Sequence, residues 1–276
     1  MALPGLLKTM DIVLKKYGTM TLKDVAAPAI RCARNGFGTS YTGALTMYDN
    51  SVERKMRLSE AFRKLYLKED GSFYRFGEIQ KNQEIADLLE NIAEQGVDYF
   101  YKGKVAKQIV DLINDRGGCF DVSDMESYEP KFREPVKTTY RGYEVAAFAP
   151  PSGGCALVEM LNILENYDVR SMGHNTAASI HALTESMKLG FADRSVALGD
   201  PDFVNVDVER LTSKKFAHER FTLAGEKAGE FASADGIEAK QYPGNTSHFV
   251  VMDKDGNAFS QTQTIRDWFG CGIVVD

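Results

Sequence analysis

A chain of 276 residues, 43% hydrophobic and 26% charged, has the balance of an ordinary globular protein with enough length to bury a sizeable core. Its net charge of −6, with lysines and arginines scattered singly among the acids, leaves no basic footprint, so no nucleic-acid partner is expected. No apolar run approaches the roughly 20 residues that cross a bilayer, and the opening Met1 to Tyr17 lacks the pattern of a cleaved signal, so no membrane partner is expected either.

Leu6, Leu7, Met10, Val13, Leu14 and Tyr17 recur at helical spacing and stop at Gly18, which predicts an amphipathic helix. A second helix is predicted from about Leu22 to Arg34, ended by Asn35-Gly36, and short helices and loops from Asp49 to Gly77. Ile85, Leu88, Leu89 and Ile92 before Gly96, and Val105, Ile109, Leu112 and Ile113 before Gly117-Gly118, predict two more helices. After Phe132 the period changes. Val136 to Tyr140 and Tyr143 to Phe148 flank Arg141-Gly142 and read as a hairpin. Beyond Pro150-Pro151, Ser152 is placed to cap a helix with Leu157, Met160, Leu161 and Leu164 on its apolar face. A further helix, capped by Asn175, carries Ile180, Leu183, Met187 and Phe191 as its core stripe and ends near Gly199-Asp200-Pro201. Gly153-Gly154 lacks the spacing of a phosphate-cradling loop.

The four cysteines, Cys32, Cys119, Cys155 and Cys271, form no C-x-x-C pair and are expected to be buried small apolar residues. Their lack of evident pairing favours a reducing, cytoplasmic compartment. His174 and His181 have no acidic or thiol ligand at metal spacing, so no metal is expected.

From Leu223 to Asn245 the chain is rich in Ala, Gly, Glu, Ser and Lys and reads as a flexible linker. Ser247 to Met252 and Ala258 to Ile265 then flank a turn at Asp253 to Asn257, a second hairpin. If its loop is Lys254-Asp255-Gly256 with the glycine left-handed, opposed residues have numbers adding to 510, and Thr246 faces Thr264. A two-residue loop at Asp255-Gly256 would instead set Thr246 opposite Ile265. A threonine hydroxyl needs a base, and no G-x-S-x-G arrangement supplies one. Cutting the peptide bond before Thr246 would free an α-amine, with a reference pKa of about 7.7–8.0, beside that hydroxyl. As the start of a strand alone, Thr246 reads as a β-former on a hairpin.

Asn245-Thr246-Ser247-His248-Phe249-Val250-Val251-Met252-Asp253-Lys254-Asp255-Gly256-Asn257-Ala258 closely resembles the segment that opens the small subunit of γ-glutamyltranspeptidases. Upstream, Pro28-Ala29-Ile30-Arg31, Asn35-Gly36-Phe37, Phe100-Tyr101-Lys102-Gly103, Arg116-Gly117-Gly118, Tyr140-Arg141-Gly142-Tyr143, Pro150-Pro151-Ser152-Gly153-Gly154, Met160-Leu161-Asn162-Ile163-Leu164, Phe191-Ala192-Asp193-Arg194 and Gly199-Asp200-Pro201 resemble that family's large subunit, in its order. The resemblance implies an α+β fold, part of the four-layer αββα sandwich of N-terminal-nucleophile hydrolases. It makes residues 1–245 a large-subunit-like region, helical over 1–117, mixed over 118–222 and a linker over 223–245. Residues 246–276 become the first small-subunit hairpin, the whole being one incomplete domain.

It further implies self-cleavage at Asn245-Thr246, Thr246 as the residue that takes the acyl group, and Thr264 as the second threonine whose hydroxyl contacts it. No cofactor is implied. The expected substrate is a γ-glutamyl or related acyl amide such as glutathione, with an amino acid, a peptide or water as acceptor. The resemblance also implies further N- and C-terminal segments bearing a substrate-carboxylate arginine, oxyanion glycines and substrate serines. Each missing oxyanion donor removes roughly 3–4 kcal/mol from acyl transfer, so this chain alone is expected to be nearly inert. Because many relatives are exported, a periplasmic or secreted full-length protein stays open. At the position where the family places an asparagine that helps hold the substrate's amino-acid head group stands Arg266, which favours a carboxylate over an ammonium unless it points to solvent or pairs with Asp267. An acylase of the same fold and a non-catalytic scaffold therefore remain beside the transpeptidase reading.

Overall fold

Helix α1 (Leu6–Tyr17) stops at Gly18, whose N–H returns to the Leu14 carbonyl. Helix α2 (Leu22–Asn35) starts in a reciprocal cap, Thr21 accepting from the Asp24 N–H while the Asp24 carboxylate accepts from the Thr21 N–H, and it ends at Gly36, where φ is 101°. Short pieces follow: β1 (Phe37–Gly38), α3 (Tyr41–Thr46), α4 (Asn50–Leu58), α5 (Glu60–Tyr66) and β2 (Ile79–Gln80); α4 and α5 are the short helices expected between Asp49 and Gly77, whereas the pairing of β1 with β2 was not expected in a region read as helical. Helix α6 (Gln83–Gln95) packs on α2, and Arg34 reaches across to Asp87 at 2.7 Å and Glu90 at 2.9 Å. Three further helices follow, α7 (Asp98–Tyr101), α8 (Gly103–Asn114) and α9 (Val122–Ser127), around buried Tyr101, Ala106, Val110 and Met125.

The computed structural model describes residues 3–236 and 245–275. Within it the chain forms two units, Met1–Pro130 with Gly244–Asp276 and Lys131–Pro243.

The second unit opens with the expected hairpin, β3 (Val136–Tyr140) and β4 (Tyr143–Ala147), in which Tyr140 pairs with Tyr143. Arg141 and Gly142 are both left-handed, at φ 50° and 85°, as a two-residue hairpin loop requires. Helices α10 (Gly154–Leu164), α11 (Val169–Met172), α12 (Ala177–Ala197), α13 (Val208–Thr212) and α14 (Lys214–Phe221) complete it. Its core gathers Val136, Cys155, Val158, Leu211 and Phe216. The caps differ from expectation by one residue each. Gly153, not Ser152, precedes α10, and Thr176, not Asn175, caps α12, because Asn175 takes a left-handed turn at φ 53° instead.

A larger correction concerns α12. Its predicted core stripe, Ile180, Leu183, Met187 and Phe191, is 41–54% exposed, while Ala182, Glu185, Ser186, Leu189, Gly190, Ala192 and Asp193 are buried. Close packing on α10 selects the small side chains: a β-carbon on Gly190 would stand 2.6 Å from the Met160 side chain. Leu157 of α10 is likewise exposed. Of the four cysteines only Cys155 is buried; Cys32, Cys119 and Cys271 lie at the surface, where apolarity alone did not hold them inside.

Residues 223–236 form no helix or strand, consistent with their composition, yet they are hydrogen-bonded along the second unit: Gly229 to Glu185, Ala232 to Arg220 and Ala234 to Asp193. The remainder of the expected linker, residues 237–244, lies outside the described residues. The same region buries a charge cluster. Arg220 Nε stands 2.7 Å from Asp193 Oδ2, and Glu159 beside them is 1% exposed. Burial, reinforced by the hydrogen bond and charge of Asp193, pushes the Glu159 carboxyl up to about 10.

Glu159 is therefore protonated in the folded chain and ionised in the unfolded one at every pH between its ordinary 4.5 and about 10, so it weakens stability progressively as pH rises through that window. Glu159→Gln, which fixes the neutral form, is expected to raise the melting temperature relative to the parent by more at pH 8 than at pH 5. Thermal melts at the two pH values check this, and an equal difference at both would contradict a protonated Glu159.

Candidate active site

The second hairpin is built from its turn outward. Asp253 accepts at Oδ1 from the N–H groups of Asp255 and Asn257, both at 2.9 Å, and at Oδ2 from the Asn257 amide at 2.8 Å. The Asp253 N–H donates to the Asn257 carbonyl at 3.0 Å, and Gly256 is left-handed at φ 86°. This is the three-residue loop Lys254-Asp255-Gly256. Strands β5 (Asn245–Met252) and β6 (Ala258–Arg266) then pair Met252 with Ala258 and, in unbroken steps, Ser247 with Gln263. Every one of these pairs adds to 510.

One step further the ladder changes. Asn245 pairs with Arg266, so the single residue Thr246 stands opposite two, Thr264 and Ile265, in a β-bulge. The two partners that the turn alternatives offered Thr246 are thus both placed across from it by one extra residue in β6. Thr246 and Thr264 are exposed, and the Thr264 hydroxyl accepts from the Arg266 N–H at 2.8 Å. Arg266 itself is exposed and left-handed, at φ 73°. The side chain of Asn245 lies outside the described residues. Two residues along β5 from Thr246, His248 meets the Thr262 hydroxyl across the ladder at 2.8 Å. Sequence reasoning passed over His248, although strand alternation puts it on the face of Thr246.

The far end of the hairpin is anchored to the helical part of its unit. Lys55 of α4, buried, reaches Asp267 at 2.9 Å and also donates to the Trp268 carbonyl. Its hydrogen bond, with that of the Trp268 N–H, holds the Asp267 carboxyl below the usual range. Asp267 is therefore engaged by Lys55. Phe269, left-handed at φ 55°, packs its ring against Phe62 at 5.2 Å and Tyr66 at 4.6 Å, beside buried Met47, Val52 and Met56. Gly272 is needed where the chain passes Lys55, since an added β-carbon would lie 2.7 Å from that side chain and φ is 73°. Among the described residues no group of three His, Cys, Asp or Glu is placed to hold a metal ion, and no helix is long and apolar enough to cross a membrane.

The sequence model of the gamma-glutamyltranspeptidase family matches residues 1–276. The glutathione hydrolase proenzyme of Escherichia coli is 38% identical over 98% of this chain and 47% of its own length, and the acylase ACY 1 proenzyme of Pseudomonas sp. strain SE83 is 35% identical over 99% and 48%. This chain thus spans about half the length of the curated relatives it matches. Among solved structures, the Helicobacter pylori gamma-glutamyltranspeptidase superimposes with a TM-score of 0.75 at 34% identity, covering 86% of this chain and 67% of that one. The cephalosporin acylase of Bacillus halodurans superimposes at 0.74 with 29% identity, covering 86% and 47%. The fold is α+β, of the N-terminal-nucleophile hydrolase kind that the resemblance implied.

Since the Phe269 ring is the apolar link between the end of β6 and α5, Phe269→Ala is expected to destabilise this unit by about 2 kcal/mol. Urea unfolding followed by the single tryptophan, Trp268, measures it; an unchanged midpoint would show that the ring does not anchor the hairpin.

Proposed function

The chain belongs to the gamma-glutamyltranspeptidase family, and we propose that it is the large-subunit region and first small-subunit hairpin of an enzyme that cuts itself at Asn245-Thr246 and then uses Thr246 to transfer an acyl group. The observation that carries this reading is the bulge that sets Thr246 opposite Thr264 at the start of an exposed strand. In the first step the Thr246 hydroxyl oxygen attacks the Asn245 carbonyl carbon. The C–N bond breaks, the nitrogen keeps its electron pair and gains the proton, and an ester joins Asn245 to Thr246. Water then cleaves that ester, leaving a carboxylate on Asn245 and a free amine and hydroxyl on Thr246. Thr264 is the neighbouring hydroxyl assigned to assist, already oriented by the Arg266 N–H.

In the second phase the freed amine takes the hydroxyl proton as the oxygen attacks an acyl donor amide. The amine product leaves and an acyl ester remains, which water or an acceptor amine resolves. A γ-glutamyl amide such as glutathione is the proposed donor, supported by the glutathione hydrolase relatives. The rest of the full-length protein is assigned the oxyanion donors and the cover for the hairpin. Phe249, Val250, Val251 and Met252 form a continuous apolar run of the kind found in strands covered on both faces, yet all four are exposed here.

A second reading rests on Arg266. A guanidinium two residues beyond Thr264 suits a donor that presents a carboxylate without an ammonium, and acylases stand among the relatives.

In the full-length protein, the small fragment is expected to begin Thr-Ser-His-Phe on N-terminal sequencing, and Thr246→Ala to leave one uncut band without activity. A wild-type protein that is active while intact would overturn the reading. Thr264→Val, which removes one neighbouring hydroxyl, is expected to slow cutting about tenfold.

If Arg266 reads the donor, Arg266→Asn should raise kcat/KM for a γ-glutamyl anilide relative to a glutaryl anilide by about tenfold or more, the worth of one charge-assisted hydrogen bond. An unchanged ratio would assign Arg266 to solvent.

A further inference from the structure

A segment whose composition lacks the apolar groups for a core of its own is nonetheless bound at Gly229, Ala232 and Ala234 by charged side chains of the second unit, three of them buried. The Gly229 N–H donates to Glu185 Oε2 at 3.0 Å, and Lys188 donates to the Gly229 carbonyl at 2.5 Å. Arg220 donates to the Ala232 carbonyl at 2.8 Å, and the Ala234 N–H donates to Asp193 Oδ1. Glu185 and Asp193 are 1% and 2% exposed and Arg220 is 6% exposed. Lys188 lies 5.3 Å from the centre of the Phe231 ring, which packs against the cluster of Ile163, Leu189 and Ala217, and Ser233 is buried as well. The approach at Gly229 leaves no room for a side chain, since an added β-carbon would fall 2.6 Å from the Phe231 ring and 3.2 Å from Glu185.

Buried charges are kept when they satisfy something. Here two carboxylates and two cations are aimed at the backbone groups of an irregular strap. If the strap left, the Ala232 carbonyl and the Gly229 and Ala234 N–H groups could find water, but Asp193 and Arg220 would each lose a backbone partner while still enclosed by α10, α12 and α14. The asymmetry favours the docked strap over a released one.

We propose that residues 229–235 are a docked strap, for which Glu185, Lys188, Asp193 and Arg220 form the dock, and that they stay docked after the chain is cut at the junction. The position of the cut rests on the reading of Thr246 given above. Ten residues, 236–245, lie between the strap and the cut. At most about 3.5 Å per residue keeps the new carboxylate within roughly 35 Å of Asp235. The large fragment's end is therefore tethered.

Amide hydrogen exchange tests this on the full-length protein in three forms: uncut Thr246→Ala, wild type after self-cutting, and Thr246→Ala carrying a site-specific protease sequence inserted after Gly236 and then cut there. The Gly229 and Ala234 amides are expected to exchange at least about 100-fold slower than in an unstructured peptide in all three. Protection that falls to the peptide rate in either cut form would overturn the docked strap. A wild type that never cuts itself at Asn245-Thr246 sinks the reading of Thr246 alone, because the protease-cut form still decides whether the strap holds. Lys188→Met, a half-buried site less exposed to misfolding than Asp193 or Arg220, is expected to speed exchange around Phe231 about tenfold while amides of α10 stay unchanged. No change around Phe231 would remove Lys188 from the dock.

Discussion

The register of the β5–β6 hairpin is the constraint on which the candidate site depends. A strand pair alternates its faces every residue, so a slip of one position would carry every side chain to the other side of the ladder. Two features set the register from opposite ends. At the turn, the Asp253 carboxylate gathers two N–H groups and an amide, and Gly256 supplies the left-handed residue that a three-residue loop needs. At the other end, Lys55 holds Asp267 and Phe269 is packed into the aromatic cluster of Phe62 and Tyr66. The extra residue that these two anchors leave between them is taken up as the bulge at Thr264-Ile265, opposite Thr246. A bulge re-aims side chains and ends regular pairing. That suits the self-cutting proposed for Thr246, in which the preceding peptide bond becomes accessible to its own hydroxyl.

The second unit shows the reverse economy. Where most globular cores bury the apolar side of an amphipathic helix, α12 buries its small and charged side and leaves Ile180, Leu183, Met187 and Phe191 outside. Small residues let α10 approach closely, and Glu185 and Asp193 are turned inward to bind the backbone of residues 229–234. The exposed stripe of α12 and the exposed run Phe249 to Met252 are each larger in apolar character than scattered surface residues need be. Both fit a chain that spans about half the length of its curated relatives.

Much of this was legible in the sequence where local chemistry decides. The helix ends at Gly36 and Gly96, the hairpin loop at Arg141-Gly142 and the three-residue loop before Asn257 follow from which residues tolerate a left-handed backbone. The direction of α12 was not legible, because helical periodicity identifies two faces without saying which one a neighbour will cover; Ala182, Leu189, Gly190 and Ala192 make the buried face as plausible a core stripe as Ile180 to Phe191. The bulge was hidden for a similar reason: the turn fixes pairing near Met252, while the shift at Asn245 lies beside the anchor at Asp267 to Phe269, whose contacts are tertiary. The charge cluster of Glu159, Asp193 and Arg220 joins residues far apart in the chain, and no spacing rule connects them.

Arg266 bears on both proposals, the assisting hydroxyl and the choice of acyl donor. Its backbone is left-handed, a conformation that costs a side chain with a β-carbon roughly 1–2 kcal/mol and that asparagine tolerates better than arginine. An asparagine at this position, as the family resemblance implies, would meet the backbone demand and present an amide. The arginine here meets it less comfortably, and its N–H is bound to the Thr264 hydroxyl, the group proposed to help the nucleophile. Non-glycine residues held in this region persist where the surroundings determine them, and they gather at functional sites. A backbone that disfavours arginine, at a position coupled to the second threonine, supports a role for the guanidinium itself over a chance replacement. If Arg266 reads the acyl donor and Thr264 assists the nucleophile, as proposed, the hydrogen bond between them joins the two roles, so specificity and rate at this site are expected to change together.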